Sequence, residues 1–310
     1  MNPAATDPML RIAGLDVRFG PRQVLFDVSF ELFAGETVGV VGESGSGKST
    51  LARAILRLIP ADKGAILWRG RDLRSCDSST LQRLRRELQI VFQDPLGSLN
   101  PRMTVADTIA EPLRIFEPGL SAGERSVRIG AMLERVGLEA GMADRYPHEF
   151  SGGQCQRIGI ARAMILSPAL LICDEPVSSL DVSVQGQIVN LLLDLQRDAG
   201  TALLFISHNL ALVRHLSHRI LVMYAGRLIE IAARDVVYEK PLHPYTRTLL
   251  AAAAGQAEFI ATDGAAPLQT GCAYRDRCRY ALPLCAARPA LEEIDTGHFV
   301  ACHRARELLS

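Results

Sequence analysis

The sequence predicts an α/β fold: a mostly parallel sheet built on a phosphate-binding loop, an antiparallel β segment before it, a helical subdomain inserted at about 95–165, and a small cysteine-bearing tail. Three observations predict it. Gly42-Glu43-Ser44-Gly45-Ser46-Gly47-Lys48-Ser49 fits G-x-x-x-x-G-K-[ST] and lies between an apolar run at 37–41 and a helix-like run at 50–58. Apolar strand candidates at 170–173 and 203–207 flank a helical pattern at 184–198, the alternation of a parallel sheet with covered faces. Beyond Pro241 the composition changes, passing through an Ala-rich stretch near Ala251 and a linker-like region at 264–270 into a tail with Cys272, Cys278, Cys285 and Cys302. The expected organisation is a flexible N-terminus at 1–9, a nucleotide-binding domain at 10–250 and a C-terminal extension at 251–310.

In chain order, alternating segments over 10–33 with Gly20-Pro21 as a turn read as an antiparallel strand pair. After the loop, 66–68 and 90–92 read as strands and 79–87 as a polar helix. Helical patterns then dominate, including 105–109 and 127–136, before the strand–helix–strand unit. A last strand at 219–224 turns through Ala225-Gly226-Arg227 into Leu228-Ile229. The chain has no internal repeat.

Composition narrows the class. At 310 residues the chain can bury a large core, and its 34 basic and 34 acidic residues leave no bulk charge to attract nucleic acid. No apolar run approaches the roughly 18 uncharged residues of a membrane span, and the first nine residues lack the regions of a signal peptide, so the chain is expected in the cytosol. Seven cysteines in a reducing compartment read more naturally as packing residues and a metal site than as disulfides. Cys155 is expected to face out of its helix, Cys173 to fill a buried strand and Cys76 to be exposed.

The loop supplies the first chemistry. Glycines Gly42, Gly45 and Gly47 let backbone N–H groups approach anionic oxygens; Ser44 and Thr50 lie within the cradle, Lys48 adds positive charge and Ser49 reaches Mg²⁺. Asp174-Glu175 ends the strand at 170–173, at the sheet edge where open α/β sheets bind ligands; one carboxylate can hold Mg²⁺ and the other activate water. Ser151-Gly152-Gly153-Gln154 opens a helix and offers a hydroxyl, free N–H groups and a positive dipole end for a second anion contact.

With Phe150 to Gln154 as signature, Gln93 as the Q-loop glutamine, Ser178-Ser179-Leu180-Asp181 as the D-loop and His208 as the switch histidine, the chain resembles the ATPase subunits of ABC transporters over about 10–247. Phe150 stands where the family more often has Leu. The pieces Phe92-Gln93-Asp94-Pro95, Ser98-Leu99-Asn100-Pro101-Arg102, Pro147-His148-Glu149-Phe150 and His243-Pro244-Tyr245-Thr246 are similar to the branch that imports dipeptides and oligopeptides, with nickel importers as close kin. The resemblance implies ATP bound with Mg²⁺ placed by Ser49, Gln93 and Asp174, and catalysis by Glu175, His208 and Gln93. It implies nucleotide contacts by Ser151, Gly152, Gly153, Gln154 and Asp181, with Ser151 and Gly153 reaching the ATP bound mainly by the partner chain. Phe19 is a candidate to stack on adenine, its alternative being a core position.

The implied partners are a second ATPase chain, two transmembrane permease subunits and an extracytoplasmic substrate-binding protein, with this chain peripheral on the cytoplasmic face of the inner membrane and no nucleic-acid partner. A soluble ABC ATPase acting on ribosome or DNA is the alternative, as is a redox-sensing regulator centred on the tail. The tail spacing C-x5-C-x6-C-x16-C lacks the close pair of an ordinary zinc knuckle. Four thiolates equally suit an iron–sulfur cluster. The family resemblance favours [4Fe–4S] on Cys272, Cys278, Cys285 and Cys302, with Zn²⁺ as the alternative.

Overall fold

The computed structural model describes residues 7–255 and 270–309. The start of the expected flexible N-terminus, 1–6, and most of the expected linker, 256–269, lie outside the described residues.

Along the chain, strands β1 (Leu10–Phe19), β2 (Arg22–Leu32) and β3 (Thr37–Val41) precede helix α1 (Lys48–Ile55), then β4 (Lys63–Trp68) and β5 (Arg71–Asp72). Next come α2 (Ser78–Leu84), β6 (Leu88–Val91), α3 (Val105–Phe116), α4 (Ala122–Arg135) and α5 (Gly152–Met164). The following elements are β7 (Leu170–Asp174), α6 (Val182–Ala199), β8 (Ala202–Ile206), α7 (Leu210–Leu216) and β9 (Arg219–Tyr224). The chain closes with β10 (Arg227–Ala233), α8 (Arg234–Glu239), α9 (Pro244–Ala253), β11 (Glu292–Asp295) and β12 (His298–Val300). Two compact units emerge. Among the described residues, one holds 7–9, Leu32–Glu36 and Ser75–Ile206, and the other Leu10–Glu31, Thr37–Arg74, 207–255 and 270–309.

In the first unit β6, β7 and β8 pair in parallel, with Ile172 opposite both Ile90 and Leu204. Every residue of β7 and β8 is buried, which explains their continuous apolar runs: a strand covered on both faces has no solvent side to mark with polar residues. Burying each Leu, Ile or Phe of these strands contributes about 1.5–3 kcal/mol. The helices begin where the sequence places capping residues. Thr104 Oγ1 accepts the Asp107 N–H, and Ser121 with Glu124 forms a reciprocal capping box at α4. Pro112 sits inside α3 without ending it.

In the second unit β2, β1, β4 and β5 form a sheet in that order, β1 running antiparallel to β4 with a register shift between Ala13 and Asp16. Exposed residues interrupt the buried ones along β1 and β2, as expected of strands wet on one face. β3 pairs in parallel with β9, β9 antiparallel with β10, and β10 antiparallel with β12.

The hairpin β11–β12 is not foreseen from the sequence, which marks the tail only by its cysteines. β10, expected only as a short extension at 228–229, is a seven-residue strand that pairs along its length with β9 and meets the hairpin at Glu230 and Ile231. Glu230 of β10 is fully buried and explains how a carboxylate survives there. Its two oxygens accept the N–H groups of Leu242 and His243 at 2.8 and 3.0 Å, and one lies 2.7 Å from His298 Nε2. Leu242, Val300 and Ala305 form a small apolar core beneath it.

Candidate functional site

The phosphate loop connects β3 to α1, and three glycine positions shape it. Gly42 (φ 153°), Gly45 (φ 78°) and Gly47 (φ 101°) have backbone angles that side-chain-bearing residues rarely adopt. A Cβ at Gly42 would stand 2.2 Å from the Met223 carbonyl oxygen, and one at Gly47 would stand 2.7 Å from Leu25 Cδ2. No side chain caps α1, so its first N–H groups face the loop, as an anion site requires. Lys48 is 4% exposed, and its ammonium donates to the carbonyls of Gly42 (2.9 Å) and Glu43 (2.8 Å). The cation is therefore held inside the loop.

In the same unit, His208 is exposed on the turn between β8 and α7, which Ser207 Oγ tightens by accepting the Asn209 N–H at 3.0 Å. Phe19, at the end of β1, is 51% exposed, which removes the core alternative for this ring.

The other unit carries the carboxylates and the serine–glycine turn. Asp174 is the buried last residue of β7 and Glu175 follows with φ 49°, a left-handed conformation unusual for a side-chain-bearing residue. The Glu175 N–H donates to the Ile206 carbonyl at 3.0 Å, and its carboxylate accepts Gln93 Nε2 at 3.3 Å. Gln93 and Glu175 are thus brought together across 82 positions of sequence.

Ser151 is the N-cap of α5. Its hydroxyl accepts the Gln154 N–H at 3.3 Å, while the Gln154 side chain accepts the Ser151 N–H at 2.9 Å. Gln154 thereby acts within the cap itself. A Cβ at Gly153 would stand 2.8 Å from Val184 Cγ1, and one at Gly152 3.6 Å from Leu180 Cδ2, so close packing against the start of α6 demands glycine at the first of these. Asp181 is exposed at the N-terminus of α6 and makes no side-chain cap there. Cys155 departs from expectation: it is fully buried, its thiol directed at the Pro147 carbonyl at 3.4 Å, because it falls on the inner face of α5. Cys173 is buried as expected, and Cys76 is only partly exposed.

The tail folds so that Cys272, Cys278, Cys285 and Cys302 line one cavity, together with His243, Tyr274 and Arg304. Gly271 (φ 79°) permits this: a Cβ there would lie 2.8 Å from the carbonyls of Cys285 and Ala286, and the Cys272 N–H donates to the Cys285 carbonyl at 2.9 Å. Burial raises the thiols of Cys272 and Cys278 and pushes Cys302 up to about 11, with the neighbouring thiols adding to the last. Among the described residues, no group of three or more His, Cys, Asp or Glu side chains is arranged to hold a metal ion. Tetrahedral zinc, with Zn–S of about 2.3 Å, needs four sulfurs in mutual contact.

Two residues next to the loop have roles the motif pattern did not reveal. Tyr245 Oη accepts the Glu43 N–H at 2.8 Å, and Arg277 Nη1 lies 3.0 Å from the Glu43 carboxylate. His243-Pro244-Tyr245-Thr246 was visible as a marker; its contact with the loop was not.

A phosphate loop on a buried strand, an acidic strand end and a serine-capped glycine turn define an ATP-binding cassette, and comparisons with known proteins agree. Residues 25–178 match the ABC transporter family, and residues 229–285 match the oligopeptide/dipeptide transporter C-terminal region. The oligopeptide transport ATP-binding protein OppF of Haemophilus influenzae is 50% identical over 288 residues, 89% of this chain and 87% of the relative. OppF of Escherichia coli is 50% identical over 287 residues, 89% and 86% of the two chains. The dimeric cassette MJ0796 bound to ADP and Pi superposes with TM-score 0.67 at 28% identity, covering 73% of this chain and 99% of that one. CbiO1 of Clostridium perfringens gives 0.68 at 27%, covering 76% and 93%. The chain belongs to the ATP-binding subunits of ABC transporters, in the group of the oligopeptide transport proteins, and is an ATPase coupled to transport.

Proposed function

We propose that this chain is the ATP-hydrolysing motor of an importer of short peptides. The observation that carries the reading is the joining, in one chain, of a nucleotide cradle to a region of the oligopeptide/dipeptide transporter type at 229–285. Lys48 and the N–H groups of 42–50 hold the β- and γ-phosphates, with Phe19 stacked on adenine. Ser49, Asp174 and Gln93 would hold Mg²⁺, which neutralises phosphate charge when bound. Glu175 orients and deprotonates the attacking water, and His208 contacts the γ-phosphate.

Ser151, Gly152, Gly153, Gln154 and Asp181 complete the site on a second ATPase chain. The exposure of Ser151, Asp181 and Val182, the last at 84%, supports a partner surface there. ATP then acts as a bridge between protomers, and its hydrolysis releases them. Among the described residues no helix is long and apolar enough to cross a membrane. Two permease subunits therefore supply the path, an extracytoplasmic binding protein delivers substrate, and this chain sits peripherally on the cytoplasmic face of the inner membrane.

Reconstituted with those subunits in vesicles, the complex is expected to hydrolyse ATP several-fold faster with a loaded peptide-binding protein and to accumulate labelled oligopeptide. Stimulation by nickel or glutathione alone would assign a different cargo, and ATPase activity indifferent to every cargo but responsive to nucleic acid would overturn the transport reading.

The convergence of four cysteines on one cavity favours a second feature, a [4Fe–4S] cluster held by Cys272, Cys278, Cys285 and Cys302. Anaerobically purified protein is expected to be brown, with visible absorption bleached by dithionite and stoichiometric iron and acid-labile sulfide. Colourless protein that releases zinc on denaturation would replace the cluster with Zn²⁺.

A further inference from the structure

We infer that the arm of the tail carrying Cys272 and Cys278 is a positioning brace for the phosphate loop, acting through the Arg277–Glu43 ion pair and the Tyr245 hydroxyl. The inference rests on the reading of 42–49 as the nucleotide cradle and adds to it residues far outside the motif.

Glu43, the second residue of the loop, is gripped at three places. Its N–H donates to Tyr245 Oη at 2.8 Å, its carbonyl accepts Lys48 Nζ at 2.8 Å, and its carboxylate oxygens lie 3.0 and 3.3 Å from Arg277 Nη1. Arg277 is itself fixed by an aromatic nest. Its guanidinium lies 5.9 Å from the Tyr224 ring and 5.7 Å from the Tyr274 ring, with Nη1 3.4 Å from Tyr224 Oη. The rings of Tyr224, Tyr245 and Tyr274 pack on one another with centroids 4.6–5.5 Å apart. Side-chain exposure of only 20% for Arg277 and 25% for Glu43 keeps the pair from being fully screened by solvent.

The Lys48 ammonium donates to the carbonyls of Gly42 and Glu43, so it helps hold the loop. An ammonium that turns to a phosphate gives up those carbonyls. Of the contacts on Glu43 that do not involve the lysine, the Ser46 N–H to its carbonyl (3.1 Å) lies within the loop, whereas those from Tyr245 and Arg277 come from outside it and do not depend on where the ammonium points. Arg277 lies next to Cys278, and Tyr274 donates or accepts at Thr248 Oγ1 (3.2 Å), which ties the same arm to α9. The brace thus keeps the cradle organised through nucleotide entry. Its loss shows as weaker nucleotide binding, and the chemical step, whose groups lie elsewhere, is spared.

The test uses the full chain with R277E, R277K and the reversal E43R/R277E, measured by titration of a fluorescent ATP analogue, steady-state ATPase and thermal unfolding. R277E is expected to weaken nucleotide binding about tenfold while kcat at saturation stays within about twofold. R277K retains most of the affinity, and the reversal recovers most of what R277E loses. A merely structural arginine would lower the melting temperature and leave the affinity of the folded protein unchanged. Wild-type affinity in R277E, an equal fall in kcat, or a folded reversal variant that recovers nothing would overturn the brace. Should R277E fail to fold, the uncharged and similarly bulky R277M carries the same expectation. Lys48→Ala separates the two ideas. If it loses nucleotide while R277E does not, only the brace is wrong; if it binds normally, the cradle reading itself is wrong.

Discussion

Glu175→Gln is expected to lower ATP turnover by at least about a hundredfold while nucleotide binding survives, and to leave the chain locked with its ATPase partner when ATP and Mg²⁺ are supplied. The amide keeps the shape of the side chain and its contact with Gln93 but cannot take a proton from water. The geometry makes Glu175 the residue to change. It stands at φ 49°, and such a conformation costs of order 1–3 kcal/mol and persists only where surroundings impose it. Here the Ile206 carbonyl imposes it, by taking the Glu175 N–H just past the end of β7. Single-turnover hydrolysis and size-exclusion of the ATP-loaded complex measure the two halves of the prediction. Turnover at the wild-type rate would remove Glu175 from the chemistry.

Lys48→Ala should lose nucleotide at the binding stage, with affinity falling by about a hundredfold or more, since a buried ammonium supplies several charge-assisted hydrogen bonds at once. Lys48→Arg should rescue little. The planar guanidinium does not fit a loop closed around a compact ammonium 2.8–2.9 Å from two carbonyls. Equilibrium titration of the analogue decides it, alongside the melting temperature. Removing Lys48 also strips the Gly42 and Glu43 carbonyls of a donor, so a small loss of stability accompanies the loss of binding.

Much of this protein was legible before any coordinates. The loop motif carried its own confirmation in the strand and helix that flank it, and β7, β8 and β9 fall within a residue of the expected segments. Ser151 starts a helix as expected, its short polar side chain reaching the first N–H groups, whereas the helix expected at 127–136 begins earlier, at Ala122, after the Ser121 cap. Errors were of the kind that depends on facing. Cys155 was expected outward, yet α5 packs on more than one side and buries it. Phe19 could be core or ligand until its exposure was known. The hairpin β11–β12 escaped notice because its strands are four and three residues long, and one of them, Glu-Glu-Ile-Asp, is mostly exposed. A strand that short is stabilised by the edge it joins more than by its own pattern.

By itself the amino-acid order determined the chemical inventory of this chain: which residues can hold phosphate, which end a buried strand with a carboxylate, and which cysteines are available to a metal. Those are properties of neighbouring residues, set by backbone sterics and by the period of apolar positions. Only the tertiary structure decided which distant groups meet. Arg277 finds Glu43 across 234 positions, Gln93 finds Glu175, and four cysteines of irregular spacing turn toward one cavity. The reason is physical: an ion pair or a shared cavity has no repeat length, and the chain between its members leaves no local mark of where it will return.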